Sequence, residues 1–291
     1  MNILKGKAVA DSMAVTMQTA LKQLPVTPCL AIIRVGKRPD DLAYERGARK
    51  RMEKIGIHCQ VVALPETISE EEFLKQFRHI NQNPDVHGIL IFRPLPEHLR
   101  RCGVEQIIDP MKDVDAISPQ NTARVYLDDK RGFAPCTAEA VLEIIDSIHY
   151  DVRGKKVVVV GCGNVVGKPL SVLLFNRMAT VTVCNEFTQD LKNECATADV
   201  LVSCAGVRRL IKGDYVPDGC IVIDVGINTD DDGNLCGDVD FDAAAPHASY
   251  ITPVPGGVGG VTTSVLAKHV IKAAVLQQER QDSFENQMGA H

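Results

Sequence analysis

The sequence contains no tryptophan, and aromatic residues make up only 4% of its 291 residues. A platform of stacked aromatic side chains for nucleic acid is therefore not expected. The net charge of −5 is not gathered into a block of one sign, which also argues against nucleic acid as the main partner. No apolar run reaches the ~18 residues that a membrane helix needs, and the N-terminus has no signal-peptide pattern. We therefore expect a cytoplasmic protein with no membrane partner.

The ten cysteines include no Cys-x-x-Cys pair, and the eight histidines form no metal-ligand spacing. We therefore predict neither a metal site nor a structural disulfide. Half of the cysteines lie in or beside apolar, strand-like segments, where small buried hydrophobic side chains in a reducing compartment are expected. These are Cys29, Cys162, Cys184, Cys204 and Cys220.

Helical and strand-like patterns alternate along almost the whole chain, which predicts an α/β protein with mostly parallel sheets. The length favours two domains. Helices are predicted over 8–24, 40–55, 69–81, 137–149, 170–178 and 262–277. Strands are predicted over 29–35, 59–64, 88–92, 179–184, 199–203 and 220–225. The last dozen residues are polar and are expected to fray.

A glycine-rich segment at 161–167 follows directly on an apolar, β-branched run. A strand that breaks into spaced glycines before a helix is typical of a dinucleotide-binding unit, because glycine lets the backbone approach a pyrophosphate at the helix N-terminus. The spacing is one residue longer than the usual fingerprint, and a tight turn without ligand is the alternative. The candidate cofactor-binding residues are Gly161, Cys162, Gly163, Asn164, Val165 and Gly167.

Glu186 stands just past the second strand of this unit. An acidic side chain there accepts hydrogen bonds from the adenosine ribose hydroxyls and repels a ribose phosphate, so it predicts NAD in preference to NADP. The alternative is a solvated loop carboxylate. Physical reasoning alone thus reaches an NAD-dependent oxidoreductase without a named substrate.

Several ordered motifs resemble the methylenetetrahydrofolate dehydrogenase/cyclohydrolase family of the FolD type. They lie at 112–115, 135–137, 161–169, 222–228, 237–239 and 251–259. The resemblance implies a folate domain formed by 1–138 with 262–291 and a Rossmann-type domain at 139–261, joined by long helices with a cleft between them. It also implies a tetrahydrofolate substrate, NAD or NADP as cofactor, and a homodimer.

Members of this family oxidise methylenetetrahydrofolate to methenyltetrahydrofolate by hydride transfer, and most then hydrolyse the product. The resemblance assigns Tyr44 and Asp115 to catalysis and substrate binding, with Asp115 on the pterin ring. It places Pro255, Gly256 and Gly257 at the substrate and Ile227 at the cofactor. Alternatives are a structural tyrosine at 44, a turn aspartate at 115 and a plain turn at 256–257, while Asp224 could contact a loop instead of a ligand.

Two departures from the family pattern fall on interacting residues. The family lysine four residues after Tyr44 is Ala48, and its partner glutamine is Phe92. Arg49 and Lys50 lie roughly 100° and 200° further round the helix and cannot simply substitute. Hydrolysis needs a positioned acid or base, worth roughly 10²–10⁴-fold, whereas hydride transfer depends mainly on positioning.

We therefore expect a dehydrogenase whose cyclohydrolase activity is weak or absent. An ordinary bifunctional enzyme is the first alternative, with the acid–base work moved to Arg93 or a bound water. A catalytically inactive folate- or NAD-binding paralogue is the second.

Overall fold

In the computed structural model the chain divides into two compact units. Residues 1–288 are described, except for the side chains of residues 284 and 286–288. The six-stranded unit consists of Met1–Ser12 with Pro135–Thr262, and the three-stranded unit consists of Met13–Ala134 with the chain from Thr263 onward. Both units are of the α/β class, so the predicted fold class is confirmed.

The helices and strands alternate along most of the chain, as the sequence pattern predicts. The helices are α1 (Gly6–Leu21), α2 (Pro39–Ile55), α3 (Glu70–Gln82), α4 (Val104–Ile107), α5 (Pro119–Tyr126), α6 (Cys136–Ser147), α7 (Gly167–Asn176), α8 (Leu191–Cys195), α9 (Phe241–Ala244) and α10 (Val258–Met288). The strands are β1 (Asn2–Ile3), β2 (Cys29–Val35), β3 (His58–Leu64), β4 (Gly88–Ile91), β5 (Lys156–Val160), β6 (Thr180–Cys184), β7 (Val200–Ser203), β8 (Ile221–Asp224), β9 (Asn228–Thr229), β10 (Leu235–Cys236) and β11 (Tyr250–Ile251).

The larger sheet has the strand order β1-β11-β8-β7-β5-β6, and its strands pair in parallel. Its central strands are almost continuously apolar because a parallel sheet is covered on both faces. Val158, Leu201 and Val222 stand side by side in register and belong to one hydrophobic core. The carboxyl ends of β5, β6, β7 and β8 therefore lie at one edge, where open α/β sheets bind ligands.

The N-terminal residues belong to the six-stranded unit, whereas the predicted division gives residues 1–138 to the other domain. Asn2 pairs with Tyr250 and Ile3 with Ile251 in a parallel register. The Gly6 amide donates to the Gly256 carbonyl at 2.9 Å. Strand pairs of two residues carry no alternation in sequence, so these strands were not predictable from the pattern.

The smaller sheet has the order β3-β2-β4 and is also parallel. Along β2, Ala31, Ile33 and Val35 contribute to a core that includes Phe73 and Phe77 of α3. Successive side chains of a strand alternate between faces. Consequently Leu30, Ile32 and Arg34 lie on the opposite face of the sheet.

The predicted bounds of the longer elements are close to those observed, and the strand at 29–35 is found as predicted. The terminal helix is the main exception, because α10 begins at Val258 and continues to Met288. The helix thus extends through residues 280–288, part of the dozen residues predicted to fray, and residues 289–291 lie outside the described chain. Among the described residues, none of the helices is apolar over a length that could cross a bilayer.

Candidate functional site

Two of the predicted cofactor-binding glycines are required by the packing of the loop after β5. Gly161 has a φ of +117°, and a Cβ there would lie 2.5 Å from the carbonyl oxygen of Cys204. A Cβ on Gly167 would lie 1.9 Å from the Gly161 carbonyl oxygen. Glycine is thus needed at both positions for α7 to start directly against the end of β5.

The middle of this loop is open. Gly163, Asn164 and Val165 are exposed, Cys162 is half-buried, and a Cβ at Gly163 would meet nothing within 4 Å. The residue that precedes α7, Val166, makes no side-chain cap to the helix. A ten-residue helix that starts beside an exposed loop directs the positive end of its dipole there, which suits an anionic group such as a pyrophosphate.

Glu186 is exposed in a tight turn that follows β6. The Asn185 amide donates to Thr188 Oγ1 at 2.8 Å, and the Phe187 amide donates to Asn185 Oδ1 at 2.9 Å. These two bonds fix the backbone on both sides of Glu186. The carboxylate therefore stands at the carboxyl edge of the sheet, next to the strand that carries the glycine loop.

Two buried carboxylates hold the loops that follow β7 and β8. Asp224 accepts hydrogen bonds from the amides of Gly226, Asp238 and Val239 at 2.9, 3.1 and 2.9 Å. Asp238 accepts from the amides of Ala205 and Gly206 at 2.7 and 3.1 Å, and from the side chains of Ser203 and Asn228. Asp224 therefore contacts a loop, which the sequence analysis gave as the alternative to a contact with a ligand.

The loop after β8 and the segment after β10 also pack closely against each other. A Cβ on Gly226 would lie 2.1 Å from Asp238 Oδ1, and a Cβ on Gly237 would lie 1.8 Å from Asp224 Oδ2. Each carboxylate thus fills the space that a side chain on the other loop's glycine would take. We call Asp224, Gly226, Gly237 and Asp238 the crossed loop lock. The neighbouring Ile227 is 70% exposed at the carboxyl edge of the sheet.

Burial raises the pKa of Asp224 from 3.8 to about 6, against the opposing effect of its three amide donors. The folded protein therefore holds this proton more tightly than the unfolded chain does. The stabilising contribution is complete below the unfolded-state pKa of 3.8 and is lost as the pH rises through about 6.

We expect Asp224→Asn to remove this part of the pH dependence. Between about pH 5 and about pH 8, the wild type should lose about 1 kcal/mol more unfolding free energy than the variant. Urea unfolding of both proteins at the two pH values measures the difference. The matched control is Asp242→Asn, which changes an exposed carboxylate of the same unit. Equal pH dependence in Asp224→Asn and the wild type would contradict the assignment.

The predicted substrate-binding residues Pro255 and Gly256 are exposed, and Gly257 is buried. Gly256 has a φ of +102°, and a Cβ on Gly257 would lie 2.5 Å from the Pro253 carbonyl oxygen. The glycines are therefore required by the turn itself. The exposed side of this turn remains available to a ligand.

In the three-stranded unit, Tyr44 contacts Phe92, and Ala48 lies one helical turn after Tyr44 on the same face of α2. The rings of Tyr44 and Phe92 meet edge to face, with centroids 5.7 Å apart and an interplanar angle of 83°. Ala48 is fully buried, Phe92 is 8% exposed, and Tyr44 is half-buried. We call these three residues the Tyr44 face. Arg93 is exposed, and its carbonyl oxygen accepts from Arg38 Nη2 at 3.2 Å.

Asp115 is half-buried, and its neighbour Asp113 is the residue that closes the local turn. Asp113 is 1% exposed and accepts from the amides of Ile117 and Ser118 and from Asn121 Nδ2, each at 2.9 Å. Asp113, which sequence reasoning missed, therefore holds the turn that leads into α5. The two carboxylates have the same residue type and near-adjacent positions, so the sequence offered no signal to separate them.

A second missed feature is an ion pair between Arg34 of β2 and Glu45 of α2, whose Nε and Oε2 atoms lie 2.8 Å apart. Both side chains are almost fully buried. A single arginine in an otherwise apolar strand was the available signal, because a charge at a buried position needs a partner.

All ten cysteines are free thiols. Cys29, Cys184 and Cys220 are buried as predicted, whereas Cys162 and Cys204 are only half-buried. Burial raises the pKa of Cys195, Cys204 and Cys220 to about 12, so these thiols are poor nucleophiles at neutral pH. Among the described residues, no group of three or more histidine, cysteine or acidic side chains is arranged to hold a metal ion.

Comparison with known proteins identifies both units. Residues 4–115 match the catalytic domain, and residues 135–278 the NAD(P)-binding domain, of tetrahydrofolate dehydrogenase/cyclohydrolase. The chain is 49% identical over 281 residues to a protein of Clostridioides difficile (strain 630) named bifunctional protein FolD, covering 96% of this chain and 98% of that protein.

Solved structures agree with this match. A bifunctional FolD methylenetetrahydrofolate dehydrogenase/cyclohydrolase from Campylobacter jejuni has a TM-score of 0.91 and 38% identity, covering 94% of this chain and 98% of that one. A Trypanosoma brucei methylenetetrahydrofolate dehydrogenase-cyclohydrolase, solved with NADP and an inhibitor, has a TM-score of 0.87 and 34% identity, covering 94% and 96%. The chain therefore belongs to the tetrahydrofolate dehydrogenase/cyclohydrolase family and is a methylenetetrahydrofolate dehydrogenase that uses a nicotinamide dinucleotide.

Proposed function

We propose that this enzyme oxidises methylenetetrahydrofolate with NAD and has little or no cyclohydrolase activity. The Tyr44 face carries the proposal. It has an alanine and a phenylalanine, both buried, where the family pattern has a lysine and a glutamine. Neither side chain can donate or accept a proton, so the wall lacks the acid–base pair that hydrolysis requires.

Oxidation needs no such pair, because NAD accepts a hydride that the neighbouring nitrogen lone pair expels from the one-carbon bridge. The protein's contribution is to hold the substrate in position. We assign the Tyr44 ring, held edge-on by Phe92, to one wall of the folate site, and the Asp115 carboxylate to the N–H donors of the pterin. The dry, aromatic wall also keeps water away from the bridge.

The residues of the six-stranded unit fit a dinucleotide. The open stretch 163–165 and the N-terminus of α7 suit a pyrophosphate, and the exposed Glu186 suits a ribose diol. With a carboxylate at this position, a 2′-phosphate would meet like charge. We therefore propose NAD as the preferred cofactor, with Gly161, Cys162, Gly167 and Ile227 forming the surrounding wall.

The cofactor preference is tested by Glu186→Arg. We expect the ratio of kcat/KM for NADP to that for NAD to rise at least roughly tenfold, since a repulsive carboxylate is replaced by a phosphate-binding guanidinium. Asp242→Arg makes the same charge change on another exposed carboxylate of this unit and should leave the ratio unchanged. An unchanged ratio in Glu186→Arg would remove Glu186 from the cofactor site.

The central experiment is a paired assay on the purified enzyme. Formation of methenyltetrahydrofolate is followed with NAD and with NADP, and loss of added methenyltetrahydrofolate is followed without cofactor. We expect formation with NAD and a loss no faster than the spontaneous rate. Clear enzymatic loss would refute the interpretation of Ala48 and Phe92.

A bifunctional enzyme is the second candidate, and one observation favours it: relatives sharing 46–49% of their residues with this chain are named bifunctional protein FolD. The two candidate functions differ only in whether the enzyme hydrolyses methenyltetrahydrofolate, which the second half of the paired assay measures.

We also propose a homodimer, as the resemblance implies. Size-exclusion chromatography with light scattering would show one chain or two.

A further inference from the structure

The buried ion pair between Arg34 and Glu45 has no role in the reaction described so far. The two side chains are 9% and 11% exposed. The Arg34 guanidinium also donates to the carbonyl oxygen of Gly36. Apolar side chains of similar volume often stabilise a protein as much as such a pair does, so stability alone is a weak reason for its presence.

The pair lies next to the Tyr44 face. In the smaller sheet Ile32 is in register with Leu90, and the Phe92 amide donates to the Ile33 carbonyl at 3.0 Å. This bond extends the ladder by one step, so Arg34 and Phe92 are cross-strand neighbours on adjacent strands about 4.8 Å apart. Both point toward α2, since each contacts a residue of that helix.

Glu45 approaches the same wall from the helix side. It directly follows Tyr44 and precedes Ala48 by three residues, a spacing that places Glu45 and Ala48 on one face of α2. Glu45 and Ala48 are both buried against the sheet. A guanidinium and a carboxylate thus border a wall whose own side chains carry no charge.

We propose that the Arg34–Glu45 pair is a positioning and specificity element of the folate site, in which Glu45 cancels the charge of Arg34 beside the reacting substrate. The proposal rests on the proposed function. When the methylene bridge loses a hydrogen with both its electrons, the neutral bridge becomes a methenyl cation, and the nicotinamide loses its positive charge as it takes up the hydride. An uncancelled guanidinium beside the bridge would oppose the new cation, while an uncancelled carboxylate would favour it.

The test compares two ligands of nearly the same shape: methylenetetrahydrofolate, whose one-carbon bridge is neutral, and methenyltetrahydrofolate, whose bridge carries a positive charge. Their dissociation constants are measured by isothermal titration without nucleotide for the wild type, Glu45→Gln, Arg34→Gln and the double variant. The preference is the ratio of the two constants.

We expect Glu45→Gln to shift the preference about tenfold against the cation, the order expected for one unpaired charge roughly 10 Å away at an effective dielectric constant near 20. Arg34→Gln should shift it in the opposite direction, and the double variant should return it toward the wild-type ratio. Loosened packing cannot explain shifts of this ratio in opposite directions in the two single variants. Glu53→Gln removes an exposed carboxylate of the same helix and is the matched control, with no expected shift.

The proposal is overturned if each single variant weakens both ligands by the same factor, or if both shift the ratio in one direction. If Glu45→Gln does not fold, Arg34→Gln and the double variant still decide the sign. A wild type that binds neither ligand would refute the proposed function together with this proposal. A wild type that binds both and produces methenyltetrahydrofolate, with a ratio insensitive to the variants, would refute the ion-pair proposal alone.

Discussion

Restoring a lysine and a glutamine, in the double variant Ala48→Lys and Phe92→Gln, should raise cyclohydrolase activity by roughly 10²-fold or more, the usual contribution of a positioned acid–base group. Ala48 lies one helical turn after Tyr44, so a lysine there extends along the same face of α2. Glutamine at 92 removes the ring that would otherwise leave the ammonium without a polar partner. The rate of methenyltetrahydrofolate loss, corrected for the spontaneous reaction, measures the gain.

The matched control is Ala43→Lys with Phe92→Gln. Ala43 is exposed on the same helix, and its side chain points away from the Tyr44 face. This control should gain no hydrolysis. Ala48→Lys alone should gain less than the double variant and should be less stable, because it places the ammonium against Phe92. If the double variant folds, keeps its dehydrogenase activity and still does not hydrolyse methenyltetrahydrofolate, these two positions do not account for the missing activity.

Gly167→Ala should abolish NAD binding and destabilise the enzyme by about 3 kcal/mol. This loss of stability is at the upper end of what overpacking usually costs. The added Cβ would lie 1.9 Å from the Gly161 carbonyl oxygen. That neighbour is backbone, so α7 must move away from the end of β5. Denaturant unfolding gives the loss of stability, and titration with NAD gives the loss of affinity.

Gly163→Ala separates packing from ligand approach in the same loop. A Cβ at Gly163 meets no protein atom within 4 Å, so this variant should be as stable as the wild type. It should nevertheless bind NAD more weakly, because the methyl group would lie where we expect the pyrophosphate to approach the backbone. Normal NAD affinity in Gly163→Ala would place the pyrophosphate elsewhere. Normal stability in Gly167→Ala would show that the helix start adapts to the extra atom.

Sequence reasoning identified the elements whose patterns are local. The buried strand at 29–35 and the glycine-rich start of α7 are each set by residues close together in the chain. The family, the α/β class and the dehydrogenase activity followed from motifs that remain contiguous. The pairing of residues 2–3 with 250–251 was not predicted, because it depends on a contact between segments far apart in the chain.

The polar interior of each unit was not predictable for the same reason. Arg34 and Glu45 are eleven residues apart on a strand and a helix, and only the fold brings their charges to 2.8 Å. Asp238 meets Ser203 across 35 residues. Asp113 and Asp115 show a further limit, since a motif contains both carboxylates and the backbone alone decides which one is buried in the turn.

The crossed loop lock has a consequence for how this protein can be altered. Asp224 fills the space above Gly237, and Asp238 fills the space above Gly226. A side chain on Gly237 displaces Asp224, which accepts from the amides of residues 226, 238 and 239. A side chain on Gly226 displaces Asp238, which accepts from the amides of residues 205 and 206. Each single substitution therefore disturbs more than its own loop. Laboratory evolution that changes one of these positions at a time should therefore stall here. Libraries that reshape the carboxyl edge near Ile227 should vary all four residues at once or leave them fixed.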